Sequence, residues 1–486
     1  MLMSDAQPAR SARFDITTRR WGILAFTAAL LVVLWVTRIT ERPIMWDAAE
    51  NLQLTLNLAR HGAISMSDSS PWGASMFREP IPLFCGAMLI RAEDAVLGRA
   101  DTATYYQGKR AKLLKYQNVP WVALLGVIIF LLARELGLAF WPSLLCVLLS
   151  NLLLFDADIG YFMLDSFYTE AAASALLAMG SLLLMKGIRY DRLTSIVLAA
   201  LCFGMLSLVK AIFLYIIIGL AVAIPVLSLY LRRSLGRSVT QAALLAVVSA
   251  LVIVPWMMRN YRDLGQFAVA QRGGEVLYDR AVADQLTRDE YLGSYYLFAP
   301  YPLNGALRRI LGYTNTDKEE GGRLQRINSL GRAGFTDRDV SAEMNARPQD
   351  AFTYFHRAGA DRVLLVRQFA AAGNPQPELA ADRELQKRAV RMILQHPLRH
   401  MALIPVYLWQ GAFLIFPSAV FIVIYAFKRR DLPLAVLVSP ALLSLLAYAG
   451  FAHLEPRYAI PTYPIIICAL VALACQYIRP FRREFR

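Results

Sequence analysis

Residues 195–229 read SIVLAALCFGMLSLVKAIFLYIIIGLAVAIPVLSL, and Lys210 is the one Lys, Arg, Asp or Glu among them. Lys186, Arg189 and Arg192 stand before the stretch, and Arg232, Arg233 and Arg237 follow it. An apolar run of roughly 20 residues is long enough to cross the hydrocarbon of a bilayer as a helix. Helices and closed barrels alone satisfy their own backbone there. Read as two spans, about Ser195 to Val209 and Ile212 to Leu229, the stretch goes out and comes back. Lys210 then lies on one side and both basic clusters on the other. Loops rich in Lys and Arg stay in the cytoplasm, so Lys210 is expected outside.

The same reading in both directions predicts an all-α integral membrane protein of about ten transmembrane helices, range 10–12. A cytoplasmic tail, 1–20, carries Arg10, Arg13, Arg19 and Arg20 ahead of the first span, Trp21 to Val36. No small-residue cleavage site follows that run, so no signal peptide is expected. The N-terminal membrane module, 21–258, contains an outer loop at 38–118. Within that loop the apolar piece Ile81 to Ile90 is too short to cross and is expected to be re-entrant or interfacial. Further spans are expected at Val119 to Ala133, from Leu138 to near Phe155, at Glu170 to Met185 and at Gln241 to Met258. Residues 259–400 form a second large outer segment, polar and with too few apolar runs for a large core of its own. Amphipathic helices lying on the membrane face are expected there. The last spans are Ala402 to Ala426, Leu432 to Ala449 and Ala459 to Cys475, within 401–478. A cytoplasmic tail, 479–486, ends the chain. No fixed-period repeat is visible.

Composition agrees with this reading. The chain is 57% hydrophobic and 18% charged, against about 25% charged in a soluble domain. The formal charge of +15 follows from positive-inside loops and attraction to anionic headgroups, so no nucleic-acid partner is expected. The five Cys form no CxxC pair and read as small apolar side chains. There is no Walker loop, Rossmann glycine pattern or His-rich metal motif. An activated substrate used outside would have to be carried on a lipid.

Polar residues collect at the outer ends of the predicted spans. Asp47 and Glu50, three apart in Trp46-Asp47-Ala48-Ala49-Glu50, share a helix face. They are either a charged helix start or a reactive pair. Arg78-Glu79-Pro80-Ile81-Pro82 sets a carboxylate beside two prolines that fix the backbone. Asp156, Asp158, Asp165 and Glu170 line a short outer loop, and Glu170 at a span entrance should face protein or water. Lys210 suits either a lipid phosphate or a snorkelling role. Pro255-Trp256-Met257-Met258-Arg259-Asn260 and His453-Leu454-Glu455-Pro456-Arg457-Tyr458 each place Arg beside aromatics at headgroup depth. That is the setting of an interfacial anchor or of a phosphate clamp.

Together and in this order, these pieces resemble the GT-C class of membrane glycosyltransferases. The likeness is to the bacterial branch related to protein mannosyltransferases and to the aminoarabinose transferase of lipid A, and it covers most of the length. It implies a GT-C-like bundle in a bacterial inner membrane with its site facing the periplasm. The donor implied is a sugar on a polyprenyl phosphate, and the acceptor a hydroxyl of a lipid-linked or envelope glycan or a lipid A-like molecule. Asp47 and Glu79 are then the catalytic carboxylates, Asp47 the first choice as base. Arg259, Arg457, Lys210 and Arg78 would hold the phosphate. Glu50, Asp158, Asp165, Glu170, Asn260, His453, Glu455 and Tyr458 would support them. Ala48 stands where the family has a second acid, which leaves a divalent metal possible but not favoured, and the sugar open. An oligosaccharide ligase or polymerase on a polyprenyl diphosphate, and a lipid or solute transporter, are the alternatives.

Overall fold

The computed structural model describes residues 18–231, 234–327 and 336–477. The predicted tail up to residue 17, Arg232, Arg233 and the tail from 478 lie outside the described residues. Every regular element among those described is helical.

Among the described residues seven helices are long and apolar enough to cross a membrane: Arg20–Arg38, Gly108–Glu135, Glu170–Arg189, Phe213–Tyr230, Leu235–Leu264, Leu432–Phe451 and Pro456–Gln476. Two further pairs pass only as bent spans. Phe140–Phe155 meets Ala157–Met163 at 100°, and Pro397–Ala412 meets Ile415–Arg429 at 107°. The count is therefore seven to nine rather than ten. The remaining predicted span is the Leu193–Ser207 helix, whose 15 residues fall short of the roughly 20 that crossing needs. An apolar run marks where lipid is tolerated, not where the backbone breaks. At 156 the break has a visible cause: Asp156 Oδ1 accepts from the N–H groups of Asp158 and Ile159, both at 3.0 Å, and starts a new helix. The short apolar piece at 81–90 belongs to a longer helix, Pro80–Leu97, whose second half carries Arg91, Glu93 and Asp94.

The centre of the bundle is Glu170–Arg189. Ala, Ser and Gly along its length let neighbours approach closely. A Cβ added at Gly180 would meet the Phe203 ring at 3.0 Å. It packs on Leu193–Ser207, the Gly108–Glu135 span and Leu432–Phe451. Outward-facing side chains such as Phe26, Val222 and Leu251 are apolar and exposed.

The long polar segment differs from its reading. Its helices do not merely lie on a surface. Tyr278, Tyr296, Tyr313, Leu324, Tyr354, Leu365 and Leu385 join in one apolar core. The tyrosines supply apolar rings that a scan for aliphatic runs overlooks. Arg280 fixes this unit to the bundle. Its fully buried guanidinium reaches Asp284 at 3.1 Å, the His400 carbonyl at 2.7 Å and the Ala449 carbonyl at 3.0 Å. His400 in turn meets Asp284 at 2.9 Å and the Gly450 carbonyl at 2.9 Å.

Candidate functional site

Glu170, Phe451 and Pro456 end their helices at the end of the bundle that carries the long polar segment. Arg189, Asp191 and Arg237 gather at the other. At the first of these ends, Trp46 has φ 53°, a strained setting for a bulky residue. The sharp turn there starts the Asp47–His61 helix and puts Asp47 and Glu50 on one face, as their spacing predicts.

Three guanidinium groups from distant segments meet this pair. Arg78 Nη2 is 2.8 Å from Asp47 Oδ1 and also bonds Glu50. Arg272 Nη1 is 3.2 Å from Asp47 Oδ1 and 3.5 Å from Glu50 Oε2. Arg457 Nη2 is 2.8 Å from Asp47 Oδ2. Aromatic rings back all three. Phe77 has Arg78 and Arg272 over it at 5.3 and 5.2 Å, and Arg457 lies 5.2 Å from the Tyr168 ring and 4.9 Å from Tyr458. Cations held against aromatic faces are partly desolvated and keep their direction. Arg78 Nε is a buried donor with no acceptor among the described residues.

Two arms extend from this centre. Glu455 lies 2.8 Å from Arg457 Nε and 3.4 Å from His453 Nε2. On the Gly273–Val282 helix, Arg272 caps the start with φ 79° and pairs with Glu275 at 3.4 Å, and Arg362 meets Glu275 at 3.4 Å. Burial pushes the Asp47 carboxyl up, but Arg78, Arg272 and Arg457 outweigh it and hold Asp47 well below the usual carboxylate range. For Glu455 the same contest, with His453 and Arg457 against burial, ends at about 2. Burial pulls the His453 imidazole down, and Glu455 and Asp279 more than restore it, leaving it raised.

A third group adjoins through Tyr458, whose ring lies 5.2 Å from Lys210 Nζ. Lys210 is bonded to buried Glu170 at 2.7 Å, so it neither snorkels nor points a free cation outward. The Ala211 N–H donates to Glu79 Oε1 at 2.8 Å. Glu79 Oε2 has no hydrogen-bond partner among the described residues.

Asp47, Glu50, Arg78, His453, Glu455, Arg457 and Tyr458 are thus brought together, with Lys210, Glu170 and Glu79 alongside. Four predicted residues are elsewhere. Asp165 takes the Thr40 N–H at 2.7 Å and Lys115 Nζ at 3.0 Å in a buried latch. Arg259 bonds the Ser75 carbonyl and Asp263, both at 3.0 Å. Asn260 ties down the Ala268 and Val269 carbonyls. Asp158 is exposed. Arg272, Glu275, Asp279 and Arg362 were not foreseen. Their one sequence signal is the Gly273-Gly274 pair, which by itself marks only a turn. A Cβ at Gly274 would overlap the Asp382 carbonyl of the Pro377–Gln395 helix. Gly274→Ala should therefore push the Gly273–Val282 helix off its seat. The expected outcome is faster backbone hydrogen exchange over residues 273–282 with the far-ultraviolet dichroism unchanged.

Beside the residues that follow Arg457 and Glu170 lies a small apolar cavity of about 20 Å³, lined by Leu125, Gly126, Met163, Ile460 and Tyr463, with Ser150, Asn151 and Ser174 as its polar lining. The five cysteines are free, three of them buried. Among the described residues no three His, Cys, Asp or Glu side chains gather as metal ligands would. No protein-family model matches the chain, and no curated protein matches it.

Proposed function

We propose that the protein is an inverting glycosyltransferase. It moves a monosaccharide from a polyprenyl phosphate to a hydroxyl of a lipid-linked glycan, envelope polysaccharide or lipid A-like acceptor, on the periplasmic face of a bacterial inner membrane. One observation carries the reading: Arg78, Arg272 and Arg457 converge from three segments on one small volume at the ends of membrane helices. Guanidinium forks suit phosphate oxygens. A lipid-borne phosphate reaches that depth without leaving the bilayer.

In this reading the phosphate shares the guanidiniums that Asp47 and Glu50 keep aligned. As the glycosidic bond breaks, charge grows on the departing phosphate, and fixed cations in a poorly hydrated site stabilise it more than water would. Glu79, with one oxygen on the Ala211 N–H, orients donor or acceptor with the other. Asp47, clamped by three cations, positions them better than it accepts a proton. Apart from Lys115, the eighth residue of Gly108–Glu135, the seven long helices carry their Asp, Glu, Lys and Arg in the first or last two turns, whereas a transporter usually needs such groups at mid-bilayer.

The test is transfer from radiolabelled polyprenyl-phosphate hexose and aminopentose donors by the full chain in lipid nanodiscs, with and without chelator. Asp47→Asn should lower transfer on the order of 10²-fold by loosening the guanidinium geometry. Full activity in both Asp47→Asn and Glu79→Gln would overturn the assignment.

A further inference from the structure

Asp279 makes no hydrogen bond and no ion pair among the described residues, although it stands inside a cluster where Asp47, Glu50, Glu275 and Glu455 are each matched to a guanidinium. It lies one turn beyond Glu275 on the Gly273–Val282 helix, so Arg272, Glu275 and Asp279 follow one another along one face. That face turns toward both arms of the site. Arg272 and Glu275 belong to one arm, and His453, which belongs to the other, feels the Asp279 charge. Arg362 from the Tyr354–Ala371 helix and Tyr407 from the 404–412 helix complete the surroundings. Asp382, on the helix packed beneath, accepts the Glu275 N–H at 2.9 Å and faces the helix start.

We propose that Asp279 is the catalytic base: it takes the proton of the acceptor hydroxyl as that oxygen attacks the anomeric carbon. This rests on the glycosyl-transfer reading. The new bond is carbon–oxygen. The bond from that carbon to the phosphate oxygen breaks and its electron pair leaves with the polyprenyl phosphate, held by Arg78, Arg272 and Arg457. The proton stays on Asp279 until it passes to water. Burial and the neighbouring Glu275 push this carboxyl up to about 7, against the pull of His453, Arg272 and Arg362. A base of that strength fits work near neutral pH. Asp47, by contrast, is held too acidic for it.

The experiment uses the full-length protein in nanodiscs with the same labelled donors, at saturating acceptor, from pH 5 to 9. The wild type should lose activity about tenfold per pH unit below an apparent pKa near 7 and be flat above it. Asp279→Asn should lower kcat on the order of 10²- to 10⁴-fold, with binding of undecaprenyl phosphate within about twofold of wild type. Asp279→Glu should retain activity with a displaced acid limb. A wild type that transfers sugar with a flat acid limb, or an Asp279→Asn variant within a few-fold of wild type, overturns the inference and leaves the glycosyl-transfer reading standing. A wild type with no transfer from any donor overturns both.

Discussion

Arg457→Lys is expected to lower sugar transfer by on the order of 10²- to 10³-fold while leaving the helical content unchanged. Arg457 does three things at once. It binds Asp47 Oδ2 at 2.8 Å, lies 2.8 Å from Glu455 through Nε, and donates to the Tyr458 hydroxyl at 3.0 Å. A planar fork backed by the Tyr168 and Tyr458 rings can serve all three and still present an edge to a phosphate. A lysine keeps the charge but has neither the fork nor the flat stacking surface. Donor affinity should fall less than kcat, because charge on the phosphate is largest as it leaves. Titrating the donor at saturating acceptor separates the two, and a variant that loses affinity alone would contradict this role.

Asp284→Ala should be the most destabilising single change away from the site, by about 3–5 kcal/mol, because removing one partner of a buried pair strands the other. Asp284 is the shared acceptor for Arg280 and His400, both buried. Without it the guanidinium keeps the His400 and Ala449 carbonyls but no counter-charge. Breaking the exposed Arg338–Glu320 pair with Glu320→Ala should change stability by at most about 1 kcal/mol. Denaturant unfolding of both variants in one detergent makes the comparison. Because Arg280 docks the helix that begins at Arg272, the Asp284 variant should also lose transfer.

The fold class was legible because lipid imposes a simple rule on sequence: long runs without charge become helices. Each of the ten predicted runs is mostly helical, with breaks inside Ala402–Ala426. The rule does not see the bend between Ala412 and Ile415 inside the Ala402–Ala426 run, or the shortness of Phe140–Phe155 and Leu193–Ser207, so the number of crossings came out too high. At the site, carboxylates and arginines close to span ends were visible because charge there needs a reason. Their partners were not. Asp165 and Lys115 are 50 residues apart, and nothing in either neighbourhood marks the latch that takes Asp165 out of the candidate site. Arg272 and Asp279 lie in a polar segment where charge is ordinary. Only the packing of Gly274 against Asp382, a three-dimensional fact, singles out their helix.

The central claim is that the three guanidiniums bind a phosphate carried by a lipid. Equilibrium binding of undecaprenyl phosphate, against undecaprenol as the uncharged control, to the full chain in nanodiscs tests it most directly. The phosphate should bind at least about tenfold more tightly than the alcohol, as a charge-assisted contact of about 1.5–3 kcal/mol requires. That margin should vanish when Arg78, Arg272 and Arg457 are all replaced by alanine. Equal binding of phosphate and alcohol to the wild type, or a margin that survives the triple substitution, would contradict it.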